Sequence, residues 1–279
     1  MAEFSGIVIR RQIESLNQTF REKGGTGRVL EWRNGLSLVF PTIDSKRIIT
    51  MLKFYFNPGP NPMKVALFLA ETNLPFELVA VDTRKGEQHT PEYRAINPNG
   101  KTPAIMDDGQ RVFDSTAILM YLSEKSGKLG GEPNDRAELL SWMMFIASGL
   151  GPFSGQSVHF LHKAPEEIPY AQNRYLRETQ RHYEVLDAHL EGRDFIVGNE
   201  YTIADISAWG WVDRSRFALD DDELVPYPNV KRWFEQIDSR PAVAKAHSIG
   251  SKLTFKSTMD DEAQRALYPS NFAKEQRGK

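Results

Sequence analysis

Apolar and polar positions along this chain of 279 residues change their rhythm near residue 130. Residues 52–56 read Leu-Lys-Phe-Tyr-Phe, a short aromatic-rich run of the kind that forms strands. Asn57-Pro58-Gly59-Pro60-Asn61-Pro62 follows as a dense turn signal. Helical spacing then runs over 64–73, with Asn61 as the expected N-cap and Pro62 at the first helical position, where its missing N–H costs nothing. A second strand is expected at 76–81 and a helical turn near 91–94. Two short strands, 102–106 and 111–113, are joined by Asp107-Asp108-Gly109, a hairpin signal. Helical spacing returns over 114–126. The predicted order is β-α-β-(α)-β-β-α.

From residue 135 the spacing is helical almost throughout. Helices are expected at 135–148, 169–190, 203–217 and 230–239, with Gly149-Leu150-Gly151-Pro152 bending or ending the first. Residues 127–134 form the linker. An α/β domain at 51–127 therefore precedes an all-α domain at 135–250, with a tail at 251–279. Residues 1–50 show no sustained periodicity. They are expected to be a poorly ordered extension, or no part of the natural chain, which would then start at Met51. Their apolar run Ile7-Val8-Ile9 is too short for a signal-peptide core, and five acidic residues argue against a transit peptide.

Composition removes whole classes of chemistry. There is no cysteine, so no disulfide framework, thiolate metal site or Cys nucleophile exists, and any thiol chemistry must borrow its sulfur from a ligand. A cytoplasmic location is compatible with that composition. The 35 Lys and Arg against 37 Asp and Glu give a net charge of −2, which disfavours a nucleic-acid partner. No apolar run approaches the ~20 residues needed to span a bilayer, so no membrane partner is expected. Gly24-Gly25-Thr26-Gly27 lacks the lysine of a phosphate loop, and no nucleophile elbow is present. His159 and His162 with Glu166 and Glu167 do not match a catalytic zinc spacing, and Pro165 interrupts the helix that would align them, so no metal is expected.

Three segments carry a family resemblance. Residues 97–105, Asn-Pro-Asn-Gly-Lys-Thr-Pro-Ala-Ile, resemble the segment that leads to the cis-proline of glutathione transferases. Asp114-Ser115 and the helix after it resemble that family's acidic-Ser motif, and Thr202-Ile203-Ala204-Asp205 resembles its capping box. The resemblance runs from Met51 to about His247. It is strongest to the bacterial Nu class, through Gly149-Leu150-Gly151-Pro152, Gly155-Gln156, His159-Phe160 and the stretch from Ala164 to Tyr175. It implies a thioredoxin-like N-terminal domain followed by an all-α C-terminal domain, the glutathione transferase fold, assembled as a homodimer. It also implies an enzyme that uses glutathione as substrate to reduce disulfides and to conjugate electrophilic small molecules. The alternatives are a dedicated conjugating or ether-cleaving transferase, and a non-catalytic glutathione-binding or regulatory protein of the same fold.

Site residues follow from the same comparison, each beside a plainer structural role. Thr102, ahead of Pro103, could pair its backbone with glutathione as an added strand. Otherwise Pro103 is a trans proline starting an edge strand. Asp114 and Ser115 sit where free helix N–H groups would suit the γ-glutamyl carboxylate, or Asp114 is simply an N-cap. The resemblance adds Gln88 and Arg174 as glutathione contacts; Arg174 could equally pair with Glu178 one helical turn on. Lys101 is a further candidate for the glycyl carboxylate. Thiol activation falls to Asn61 as the catalytic residue, through its side-chain amide and the helix N-terminus, unless 57–62 is only a turn and cap. The Nu class normally carries Thr where this chain has Gly59, so one hydroxyl is missing from that arrangement.

Overall fold

The computed structural model describes residues 27–31, 37–41, 51–219 and 223–272. The chain divides into two units, Met1–Ile49 and Thr50–Lys279. In the first, β1 (Gly27–Glu31) and β2 (Ser37–Pro41) form an antiparallel pair with Val29 opposite Val39. The rest of the expected extension at 1–50 lies outside the described residues.

The second unit opens with β3 (Leu52–Phe56), α1 (Pro60–Thr72) and β4 (Phe76–Ala80). β3 and β4 pair in parallel, Phe54 opposite Leu78, and a parallel pair needs a crossover, which α1 supplies. A 3₁₀ turn (Glu87–His89) and α2 (Pro91–Arg94) lead to the hairpin of β5 (Ala104–Asp107) and β6 (Gln110–Phe113). The sheet order is β4-β3-β5-β6, with β5 antiparallel to both β3 and β6. α3 (Ser115–Ser126) completes this half and stops at Gly127, which takes φ 66°.

Helices build the remainder. α4 (Arg136–Phe145) passes into a π turn (Ile146–Leu150) and on into α5 (Gly151–His162). The Gly-Leu-Gly-Pro segment is thus a wide turn inside a nearly continuous helix: Gly151 N–H reaches back five residues to Ile146 O, and Pro152 has no N–H to lose. α6 (Pro169–His189), α7 (Ile203–Val212), α8 (Ser215–Ala218), α9 (Pro228–Asp238), α10 (Pro241–Ser248) and α11 (Asp261–Leu267) follow. The helix expected over 203–217 is therefore two helices, parted at Asp213 and Arg214.

One apolar cluster runs through both halves, from Phe54, Phe68 and Ile118 to Tyr183, Trp209 and Trp233. α7 lies at its centre and is buried at every position. Its capping box forms: Thr202 Oγ1 accepts from Ala204 N at 3.2 Å while Asp205 Oδ2 accepts from Thr202 N at 2.8 Å. Asp205 Oδ1 also accepts from Ile196 N and Trp233 Nε1, both at 2.9 Å. With Thr202 Oγ1 donating to Asp205 Oδ2 at 3.2 Å, four donors hold one buried carboxyl, yet burial still raises its pKa to about 6.

Candidate functional site

α1 begins two residues earlier than its composition suggests. Gly59 is the N-cap, extended at φ −90° and ψ 167°, and Pro60 occupies the first helical position. Pro60 suits that place better than Pro62, since its fixed φ opens the helix. Asn61 is therefore inside the first turn rather than capping it. The two prolines have a chemical consequence. Pro60 and Pro62 have no N–H, and Met63 N donates to Gly59 O at 3.1 Å. Of the donors a helix start normally leaves free, only the Asn61 N–H remains. The Asn61 side chain has its Oδ1 3.2 Å from Trp211 Nε1 on α7. An indole N–H only donates, so that contact leaves the two Nδ2 protons of Asn61 unused.

The Thr102–Pro103 peptide is cis. Just before it, Lys101 O accepts from Tyr93 Oη at 2.7 Å and from Asn97 Nδ2 at 2.5 Å, which ties the segment to α2. Gly100 turns the chain at φ 62°, where a Cβ would also sit 3.1 Å from Gln88 O. Among the described residues no hydrogen bond occupies the Thr102 N–H or C=O, so both remain open to an added strand.

Asp114 precedes α3 at φ 72°, a conformation costly for any side chain but glycine's. Its own carboxylate supports it, with Oδ1 accepting from Thr116 N at 2.8 Å and Ala117 N at 3.3 Å. The N-cap role is therefore filled, and the carboxylate stays exposed while Ser115 is buried. Lys64, on α1, is 1% exposed. Burial lowers its pKa to about 7, and the nearby Asp114 carboxylate opposes that fall.

Two cavities lie beside these elements, of about 630 and 660 Å³, a size that suits small-molecule ligands. Gln88, Lys101 and Thr102 line the first, with Arg94, His159 and Asn271. Asn57, Gly59, Pro60 and Trp211 line the second, with Arg84 and Lys163. Thr83, Gly155, Leu267 and Tyr268 belong to both walls. Gln88 is 3% exposed; its Nε2 donates to Ala266 O at 2.9 Å, and its Oε1 has no partner among the described residues. Lys163 faces Arg84, and its pKa is lowered by burial first and by that guanidinium second.

The structure thus gathers Gln88, Lys101 and Thr102 around one cavity and sets Asn61 against Trp211 at the edge of the other. Pro103, Asp114 and Ser115 lie outside both linings, at the neighbouring strand and helix starts. Arg174 lines neither cavity, and its Nη1 lies 3.0 Å from Glu178 Oε1. Several wall residues carry no local signal in the sequence. Trp211 looks like core, and the stretch from Phe255 to Asn271 follows the part of the chain with usable motifs. Yet Arg84 Nη1 donates to Lys256 O and Ser257 O, Lys256 N donates to Asp82 Oδ2, and Phe56 meets Phe255 edge-on, which holds this stretch on the sheet domain.

His159 packs its ring on Tyr268, and His162 Nε2 lies 2.9 Å from Phe217 O. Elsewhere Asp213, Asp238 and His247 bring one possible ligand atom each to within 4.8 Å of one another, but Arg214 Nε already lies 3.2 Å from Asp213 Oδ2. Among the described residues no helix is long and apolar enough to cross a membrane.

Comparison with known proteins identifies the family. Residues 50–124 match the family described as glutathione S-transferase, N-terminal domain, and residues 169–236 its C-terminal domain. The disulfide-bond oxidoreductase YfcG of Escherichia coli K12 is 47% identical over 205 residues, which cover 70% of this chain and 94% of that protein. A Burkholderia graminis glutathione transferase, solved with two glutathione molecules per subunit, superposes with a TM-score of 0.67 at 36% identity, over 72% of this chain and 89% of that one. A Pseudomonas putida glutathione transferase, solved with one glutathione disulfide per subunit, gives 0.66 at 37% identity, over 71% and 91%. Matched in both halves, and this similar to YfcG along nearly all of its length, the chain belongs to the glutathione S-transferase family.

Proposed function

We propose that this protein is a glutathione-dependent disulfide oxidoreductase of the Nu type, working as a homodimer. Glutathione lies along Thr102 as an added strand, its γ-glutamyl end at Asp114 and Ser115 and its glycyl end toward Gln88 and Lys101. The unpartnered Gln88 Oε1 accepts from a backbone N–H of the tripeptide. The sulfur lies at the first turn of α1, where the Asn61 amide stabilises the thiolate.

The chemistry consumes two glutathiones. The first thiolate attacks one sulfur of the substrate disulfide, forming a glutathione mixed disulfide and expelling a thiolate that takes up a proton. The second thiolate attacks the glutathione sulfur of that mixed disulfide, releasing oxidised glutathione and the other substrate thiol. The protein forms no covalent bond, since it has no cysteine.

One observation favours disulfide exchange over conjugation of neutral electrophiles. Arg84 and Lys163 face one another in the second cavity, the Arg84 guanidinium bonded only to carbonyl oxygens and Lys163 with no carboxylate partner among the described residues. Such a wall suits an anionic second substrate, such as a disulfide that carries carboxylates.

The test is turnover of hydroxyethyl disulfide with glutathione, measured beside conjugation of an aryl halide. Disulfide turnover well above conjugation is expected. Glutathione binding without turnover of either substrate overturns the enzyme reading. Light scattering of the purified protein tests the dimer.

A further inference from the structure

The contact between Asn61 and Trp211 joins the sheet domain to the helical one, across 150 residues of chain. An asparagine amide has two faces of opposite sign, and rotation by half a turn exchanges them. Next to a thiolate the difference is decisive: Nδ2 donates to the anion, whereas Oδ1 repels it. Nothing on α1 selects between the two orientations. Trp211 does. Its Nε1 lies 3.2 Å from Oδ1 and donates to it, and the rotated amide would set donor against donor.

The indole is itself held by missing side chains. On α5, a Cβ at Gly151 would fall 2.8 Å from Trp211 Nε1, and one at Gly155 would fall 3.2 Å from its Cη2. On α7, a Cβ at Gly210 would fall 2.8 Å from Pro60 O and 2.5 Å from Lys64 Cγ. Gly210 therefore lets α7 lie directly on the first turn of α1, and the two α5 glycines leave a slot for the ring. Trp211 is 9% exposed in that slot.

We propose that Trp211 is a positioning residue for glutathione activation: its indole N–H locks the Asn61 carboxamide with Nδ2 as the group presented to the sulfur. This rests on the role of Asn61 given above.

The experiment reads the bound thiol directly, without a second substrate. Glutathione is titrated on the protein, and its ultraviolet thiolate absorbance is followed against pH. In Trp211→Phe the ring stays and the donor goes, so the bound thiol pKa is expected to rise by about one unit. Asn61→Ala is expected to raise it at least as far, and the double variant no further than Asn61→Ala alone, because both act through one amide. Glutathione affinity measured at low pH, where the thiol is protonated, should change little. If Trp211→Phe does not fold, replacing Trp211 with 3-benzothienylalanine keeps the shape and removes the N–H. An unshifted pKa in the Trp211 variants beside a raised one in Asn61→Ala overturns this inference and leaves the Asn61 role standing. A shift in neither overturns both. A shift with Trp211 but not with Asn61 also overturns the inference, since the indole would then act by another route.

Discussion

Gly59 offers a test that can be worked through quantitatively. Its backbone is extended at φ −90° and ψ 167°, which any L residue adopts. A Cβ there would meet only Asn57 Oδ1 at 3.6 Å and Pro62 Cδ at 3.8 Å, both ordinary contacts. Gly59→Thr should therefore fold, with a stability change of only a few tenths of a kcal/mol, about that between Gly and Thr as N-caps. The new hydroxyl would accept from the free Asn61 N–H and donate to the sulfur. A hydrogen bond to a charged group is worth about 1.5–3 kcal/mol, which lowers the thiol pKa by about one to two units. At pH about 5.5, well below the thiol pKa, the thiolate fraction then rises about 10- to 100-fold. Nucleophilicity falls with a Brønsted slope of about 0.45, which leaves a net gain of about 3- to 13-fold. At pH about 9.5 the thiol is ionised in both proteins, and only the loss of nucleophilicity remains, about 3- to 8-fold. The assay is the initial rate of hydroxyethyl disulfide reduction at saturating glutathione across that range. The variant should be faster than its parent in acid and slower in base. Parallel profiles with no crossover would refute the argument that the first turn of α1 sets the thiol pKa.

Other substitutions probe separate parts of the molecule. Asn61→Ala should cut disulfide turnover about 10- to 100-fold and raise the KM for glutathione less than about threefold, because the lost interaction is with the anion; equal losses in both would contradict this. Lys64→Met should stabilise the fold. Burial holds the lysine pKa near 7 against 10.5 unfolded, so the native state loses stability as pH falls from about 10.5 to about 7 and bears the full cost below that. The gain in Tm should be large at pH about 7, reflecting a few kcal/mol, and fade toward pH about 10; a gain independent of pH would refute it. Asp205→Ala strands the donors of Ile196, Thr202 and Trp233 in the core and should cost more than about 3 kcal/mol. Thermal unfolding would show a fall in Tm of at least about 6 °C, with turnover per folded molecule retained.

Much of the sheet domain is legible from local pattern. Strands at 52–56 and 76–81, the Asp-Asp-Gly hairpin and the helix after Asp114 all stand close to where their spacing puts them. There, propensity and tertiary context agree. They part at α5, where Gly151 and Pro152 carry a breaker signal but the chain continues as helix after a five-residue back-bond. They also part at Pro60 and Pro62. Both prolines suit a helix start, and only the backbone shows which one takes it. In the site, Gln88, Lys101 and Thr102 line one cavity. The residues that escaped are those whose role is a distant contact: Trp211 against Asn61, and Ala266 against Gln88. No spacing rule spans 150 or 178 residues. Arg174 shows the converse, since its i,i+4 pairing with Glu178 is visible in the sequence and is the contact it makes.

Leu267 and Tyr268 stand in the walls of both cavities. If glutathione lies in the first cavity and the disulfide in the second, as proposed, a change in either side chain that admits a bulkier oxidant also remodels the chamber holding the tripeptide. The preferences for donor and acceptor cannot drift apart through these positions: adaptation to a new disulfide there carries an obligatory effect on glutathione. Positions present in the second wall alone, such as Val158 or Phe217, do not border the first cavity, so on the same reading substrate range can broaden through them without reshaping the chamber at Gln88, Lys101 and Thr102.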